Sequence, residues 1–315
     1  MKANLHKVAG LTLLAAAIAS VTVVAQVAQR TFDTPEAAVS ALVAAAKSGS
    51  IDEMASVLGE EMKDQFQPGD RRLSEGDRAE FLAAVQAGTK IEADPAVPGR
   101  MIVYVGANEW PFPAPLVRDA NGWRFDGQAG REEIMDRRIG HNEMHAVETC
   151  LGYVEAQIEY AKTDHDGSGI LAFAQRLISS PGKHDGLYWP PDAEGESPFG
   201  PAISTSDRLV SPASAVEGST PQPRYHFGYH FRVLTAQGGN AIGGAHNFLM
   251  DGHLVGGFGL IAWPRDYGVT GVQTFVVNQL GVVYAKDLGP QTPTLAPSIV
   301  SFDPDAGWKK LEPAN

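Results

Sequence analysis

Six apolar residues, Met144, Val147, Leu151, Val154, Ile158 and Ala161, recur at spacings of three, four, three, four and three. An α-helix, with about 3.6 residues per turn, keeps such a series on one stripe, whereas a strand would scatter it over two faces. The spacing predicts a long amphipathic helix whose apolar stripe is buried against a core. Its other side carries Glu143, Glu148, Glu155, Gln157 and Glu159 and is expected to face solvent. Any fold for this chain must place something apolar beside that helix.

Beyond the helix the pattern becomes that of a sheet. Tyr225 to Thr235 alternates, with Tyr225, Phe227, Tyr229 and Phe231 expected on one side of a single strand. Leu254 to Trp263 is apolar and glycine-spaced, and Val272–Val277 with Val282–Tyr284 forms a hairpin across Asn278-Gln-Leu-Gly281. A long helix packed on an antiparallel sheet is the expected architecture over residues 139–312.

The preceding segment has its own signals. Thr34-Pro35-Glu36 opens a helix as cap, first-turn proline and acid, and Gly49 closes it. Ser50 and Glu53 form a capping box for a second helix, and a third is expected from Ser74 to Gly88. Met101–Val105 reads as a strand, and Leu116–Asp119 with Gly122–Phe125 as a hairpin turning at Ala120-Asn121. Residues 31–130 are thus expected to form a small α+β domain. Gln128–Gly130 and the charged run Arg131–Arg138 read as the junction to the second domain, so the fold class is α+β with two domains.

At the start of the chain, Lys2, His6 and Lys7 precede an uncharged run from Val8 to Val24, ending in Val23-Val24-Ala25-Gln26. A charged start, an apolar middle and a small-residue exit describe a secretory signal peptide over residues 1–25, cut after Ala25. The alternative is an uncleaved membrane anchor. Either places the folded part outside the cytoplasm, in the periplasm or beyond. No later apolar run is of spanning length, so no lipid insertion is expected after cleavage. The chain has 25 Lys and Arg against 37 Asp and Glu. Such a surface repels phosphate backbones and disfavours nucleic-acid partners. Cys150 is the only cysteine. It can make no internal disulfide and is expected to behave as a small buried hydrophobe.

Two sets of residues carry resemblances. Gly122-Trp-Arg-Phe125, ending the first sheet after three helices, resembles the small cone-shaped domains of the nuclear-transport-factor-2 (NTF2) and cystatin type. Asn142-Glu143, Ala156-Gln157 and Tyr160-Ala161, then Gly228-Tyr-His-Phe231, Ala262-Trp-Pro264, Tyr267-Gly268, Thr270-Gly271 and Thr274–Val283, resemble the soluble part of type IV pilin-like and pseudopilin proteins. The Gly-Phe-Thr-Leu-Ile-Glu-like box and the apolar half-helix that build a pilin filament are missing, so a polymerising pilin is not expected. Arg138-Ile-Gly140, Ser179–Trp189, Ser197–Pro201 and Tyr284–Gly289 further resemble an uncharacterised exported bacterial family, domain of unknown function 2950. That resemblance implies no activity. The pilin likeness implies a possible envelope or secretion-apparatus partner.

Few motifs suggest chemistry. Asp164-His-Asp166-Gly-Ser168-Gly169 matches the opening of an EF-hand-type loop. Asp164, Asp166, Ser168, the Ile170 carbonyl and Gln175 are the candidate calcium ligands, with Gln175 standing where a bidentate Glu is usual. The other reading is a polar turn closed by Asx-type bonds. His141 and His145 lie one helical turn apart and can share an ion, but no third ligand is evident. His226 and His230, on one strand, would lie about 13 Å apart, too far to share one. Gly238-Gly239 and Gly243-Gly244 flank a segment expected to be a flexible hairpin tip. Tyr188-Trp-Pro-Pro191 and the Pro/Ser/Ala-rich stretch Phe199–Gln222 are expected to offer a partner surface.

No catalytic residue is assigned: serine-elbow, phosphate-loop and dinucleotide motifs are missing. The expected function is that of a non-enzymatic exported binding or envelope-associated protein. The alternative is a carboxylate-based periplasmic hydrolase using groups such as Asp185.

Overall fold

A computed structural model describes residues 28–66, 75–193, 195–200 and 225–312. The expected signal peptide, residues 1–25, and the stretch 201–222 lie outside them. The fold is α+β, and the chain divides between Arg131 and Glu132 into two compact units.

In the first unit, α1 (Pro35–Ser48) is capped by Thr34, whose hydroxyl accepts the Ala37 N–H at 3.1 Å, and ends on left-handed Gly49. α2 (Ile51–Leu58) is capped by Ser50 through the Glu53 N–H at 3.3 Å. After α3 (Glu75–Ala87) comes a five-stranded antiparallel sheet. Its strands are β1 (Thr89–Ala93), β2 (Arg100–Val105), β3 (Trp110–Pro111), β4 (Leu116–Asp119) and β5 (Gly122–Phe125), in the order β1-β2-β4-β5 with β3 beside β2. α1 and α2 lie against β5, and α3 against β2. The buried core includes Leu42, Leu58, Met62, Val103, Leu116 and Phe125. Strand β1 is missed by periodicity because its residues are mostly exposed and carry no alternating apolar set. Of the aromatics in this unit, Phe125 is core, Trp110 is exposed, and Trp123 lies beneath the Arg118 guanidinium.

The expected junction at 128–138 is helical. A single helix, α4, runs from Gly127 to Tyr160 over 34 residues. Gly130 tolerates this because it sits against Ala114, where an added Cβ would approach to 2.7 Å. The charged run contributes helix-compatible pairs such as Arg137 Nε to Glu133 Oε1 at 2.7 Å, one turn apart.

The second unit is built on a six-stranded antiparallel sheet. It contains β6 (Tyr225–His226), β7 (Tyr229–Leu234), β12 (Gly259–Pro264), β13 (Gln273–Asn278), β14 (Tyr284–Asp287) and β15 (Lys309–Lys310), ordered β15-β14-β13-β12-β7-β6. Two small ladders accompany it: β8 (Ala236–Gln237) with β9 (His246–Asn247), and β10 (Leu249–Met250) with β11 (His253–Leu254). Among the described residues no helix is long and apolar enough to cross a membrane.

Both faces of this sheet are covered. Tyr229, Leu260, Ala262, Phe275 and Val277 face Ala146, Cys150, Tyr153 and Ala156 of α4. Leu234, Ile261 and Val276 face Ala296 and Phe302 of the C-terminal segment. Burial on both sides explains why β12 and β13 read as continuous apolar runs rather than alternating ones.

The expected single strand Tyr225–Thr235 is a hairpin. Phe227-Gly228 is a two-residue turn, with His226 paired to Tyr229 and Tyr225 to His230. Both turn residues have positive φ, 45° and 72°, as a twist-matched tight hairpin requires. A two-residue turn pairs residues of opposite parity, so the alternation expected from Tyr225 to Phe231 does not continue through it. The 13 Å argument for His226 and His230 therefore fails.

Candidate functional site

The buried stripe of α4 is not the apolar series. Asn142, Ala146, Thr149, Cys150, Tyr153, Val154, Ala156, Gln157 and Tyr160 are buried, while Met144, Leu151 and Ile158 are 51%, 43% and 53% exposed. At about 100° per residue these three point away from the Cys150–Tyr153–Gln157 side. The buried side is thus rotated from the expected stripe: Val154 is buried and Val147 packs against the core, Met144, Leu151 and Ile158 face out, and Glu148, Glu155 and Glu159 are exposed as expected.

Polar pairing accounts for the rotation. Asn142 Nδ2 donates to the Thr270 carbonyl at 2.8 Å, and the Thr270 hydroxyl donates to the Gly228 carbonyl at 2.8 Å. Glu143 Oε1 accepts the N–H groups of Val272 and Gln273 at 2.8 and 3.0 Å, where β13 begins. Tyr153 donates its hydroxyl to the Gly259 carbonyl at 3.0 Å, at the start of β12. Gln157 donates to Tyr153 Oη and to the Ala174 carbonyl, and accepts the Ala174 N–H, at 2.9, 2.8 and 2.8 Å. Tyr160 donates to the His184 carbonyl at 2.8 Å. These groups satisfy main chain that the apolar face could not, and small Ala146 and Cys150 let the helix approach the sheet. Burial pushes the Tyr153 hydroxyl up and the Cys150 thiol up to about 12. Neither is a nucleophile near neutral pH.

The outward stripe is left bare. Met144, Leu151 and Ile158 lie seven residues apart, two helical turns each, and are bordered on one side by exposed Glu148, Glu155 and Glu159. Toward the helix start, His145 is held by Glu148 Oε2, 2.8 Å from Nδ1, and stacks on Phe227 at 4.0 Å. His141 meets His145 edge-on at 4.3 Å. Loss of water around the ring, and then the neighbouring His145, lower the His141 pKa. No group of three or more His, Cys, Asp or Glu is placed to hold a metal ion among the described residues.

The Asp164 loop brings three of its five candidate ligands together. Asp164 Oδ1 accepts the N–H groups of Asp166 and Gly167 at 3.2 and 2.9 Å, and Oδ2 that of Gly169 at 2.8 Å. Asp166 Oδ1 accepts the Ser168 N–H at 2.9 Å, and Ser168 Oγ accepts the Ile170 N–H at 3.2 Å. Hydrogen bonds from Ser168 lower the Asp166 pKa, and Asp166 Oδ2 lies 3.6 Å from His253 Nδ1. Gln175 turns elsewhere, donating to the Gly252 carbonyl in the β10–β11 turn at 2.7 Å.

Asp185 closes a loop. Its carboxylate accepts the Ser180 N–H at 2.6 Å and the Ser180 hydroxyl at 2.9 Å. Burial raises its pKa, but these bonds together with the Arg176 and Lys183 charges outweigh it and hold the group below its ordinary value. That is the wrong direction for a general acid.

Trp189, expected on a partner surface, belongs to the core: it is buried and stacks on His184 at 4.1 Å. The Gly-rich hairpin tip is pinned rather than loose. Gln237 Nε2 donates to the Ile242 and Gly244 carbonyls, both at 2.8 Å. Asn240 donates to Asp303 Oδ1 through its N–H and its side-chain amide, at 2.8 and 3.0 Å.

The model of a family described as protein of unknown function (DUF2950) matches residues 29–311. No curated protein and no solved structure matches the chain.

Proposed function

The chain belongs to the DUF2950 family, and we propose that it is an exported protein that acts through its surface, binding a partner in the periplasm or envelope rather than turning over a substrate. One observation carries this reading: the regularly spaced apolar residues of α4 face outward while polar ones anchor the helix inward. An exposed apolar strip rimmed by polar residues is a mark of an interaction surface. The charged and apolar first residues support export. The order of helix and antiparallel sheet in the second unit supports the pilin-like reading and an envelope partner, and the helix-then-sheet order of the first supports the NTF2/cystatin-like one.

The test places a photo-crosslinking amino acid at Leu151 and, as control, at exposed Lys309. A discrete adduct at position 151 alone, recovered from the envelope fraction, is expected. No adduct at 151, or retention of the chain in the cytoplasm, counts against the reading.

A second reading concerns calcium at Asp164, Asp166, Ser168 and the Ile170 carbonyl. It is favoured by two carboxylates converging on one short loop, with Gly167 and Gly169 at φ 72° and 79°. Weak binding is expected, since Gln175 is engaged with Gly252. The thermal midpoint should rise between chelator and millimolar calcium, by RT ln(1 + [L]/Kd), and the rise should vanish in Asp166→Asn. Identical melting curves would leave the loop as a polar turn.

A further inference from the structure

We infer that the outward face of α4 is a docking site for a cationic amphipathic helix of another protein, which would lay a seam of apolar side chains along Met144, Leu151 and Ile158. The inference rests on the surface-binding reading above and names the chemistry of the partner.

The apolar part of the face has the geometry of a helix seam. Residues seven apart drift only about 20° per heptad around a straight helix, so the three side chains form one strip. Partly buried Val147 and buried Val154 sit in the intervening positions beside the strip. Together they alternate by three and four, the pattern into which a second helix inserts its own knobs.

Charge selects the occupant. Glu148, Glu155 and Glu159 all border the strip on one side, and all are exposed. Glu148 is bonded to His145, and Glu159 to Lys162 just beyond the helix end, whereas Glu155 has no bonded partner among the described residues. A second copy of this chain in antiparallel register would set Glu148 near the copy's Glu155 and the reverse, with like charges at each flank. The chain as a whole has a net charge of −12, which adds to that repulsion. A helix with Lys or Arg beside its apolar seam meets the same surface with opposite charges, which steers encounter and fixes register.

The experiment uses the purified chain and two designed helical peptides of about three heptads, identical in their leucine seam and flanked by Lys in one and by Glu in the other. Binding is read by fluorescence anisotropy. The Lys peptide should bind saturably, the Glu peptide roughly tenfold or more weaker, and the Lys peptide should weaken as salt rises from about 50 to about 500 mM. Leu151→Asp, at an exposed position that leaves the core intact, should remove binding. Glu148→Lys with Glu155→Lys should reverse the preference between the peptides. Equal binding of both peptides, or binding that survives Leu151→Asp, overturns the proposal. So does a dimer in sedimentation equilibrium that Leu151→Asp dissociates, since the occupant is then a second copy. If the crosslink at position 151 succeeds while neither peptide binds, the surface-binding reading stands and this inference falls.

Discussion

Gln157 and Ala174 exchange two hydrogen bonds in the core of the second unit: the side-chain amide donates to the Ala174 carbonyl and accepts its N–H, each at 2.8 Å. The side chain thereby acts as a strand partner for the main chain of Ala174, and its other amide hydrogen goes to Tyr153 Oη. All three bonds lie out of water, because Gln157 is fully buried.

Gln157→Leu should therefore destabilise the protein by about 2–5 kcal/mol, since it strands a buried N–H and a buried carbonyl together. Gln157→Glu keeps an acceptor for the N–H but cannot donate to the carbonyl when ionised, and should cost a similar amount. Urea unfolding of the variants measures this. A loss below about 1 kcal/mol in Gln157→Leu would mean that water replaces the amide.

Gly271 lies against the buried ring of Tyr229. A Cβ there would come within 2.1 Å of the phenol oxygen and 2.6 Å of two ring carbons. Tyr229 cannot swing away, because it is fully buried and its hydroxyl donates to the Gln273 carbonyl at 2.9 Å. Gly271→Ala should cost about 2–4 kcal/mol through overpacking. Adding Tyr229→Phe should recover only part of it, since the ring carbons remain. Full recovery in the double variant would place the whole clash at the hydroxyl.

Cys150 is fully buried, with its thiol pushed up to about 12 by loss of solvent. The thiolate is the reactive form. A disulfide reagent at about pH 8 should therefore modify the native chain at the rate of unfolding, and the denatured chain at once. Prompt native labelling would show that the helix breathes away from the sheet. Cys150→Ala should be tolerated within about 1–2 kcal/mol, the loss of one small apolar group.

His230 packs beside the Trp263 ring at 5.4 Å. Burial first, and then the Arg265 charge, hold its pKa below the ordinary value. In the unfolded chain it takes up a proton near pH 6.5. In the folded chain it does so only at lower pH. The unfolded state thus binds more protons below about pH 6.5, and stability falls as pH drops through that value toward the folded pKa. The lowered carboxylates Asp94 and Asp185 act in the same direction but only below the ordinary carboxylate range, near pH 4. Urea midpoints should therefore be lower at about pH 5.5 than at about pH 7.5; His141, also lowered, acts in the same direction, so His230→Gln should reduce the difference and the double variant with His141→Gln should reduce it further. An unchanged slope in His230→Gln would assign the titration to another group.

Much of the first unit was legible because its signals are local. Thr34 and Ser50 cap helices with their own hydroxyls, and Leu116–Asp119 pairs with Gly122–Phe125 in the expected hairpin. Such contacts join residues a few positions apart, so the chain's order nearly is its geometry. The α4 face misled for the opposite reason. Leucine, isoleucine and methionine at helical spacing satisfy the rule for burial, yet the side that docks is chosen by main-chain groups far along the chain. Thr270, Gln273 and Gly259 lie more than a hundred residues beyond the helix residues that bind them. A signal was present: Asn142-Glu143, Gln157 and Tyr160, among the residues of the pilin-like resemblance, are the ones that make these bonds. Of these, Glu143 and Gln157 are the two that helical spacing alone assigns to the solvent side.

The sequence by itself determined that there is a long helix, that antiparallel strands come after it, and that the class is α+β, because periodicity and turn chemistry are properties of neighbouring residues. Only the tertiary structure decided which side of that helix is inside. A peptide group taken out of water must be paired, and an unpaired one costs on the order of 1–3 kcal/mol, comparable with burying a whole leucine side chain. With Gln157, Tyr153 and Asn142 each reaching such groups, the side that carries them went in and Met144, Leu151 and Ile158 were left facing out.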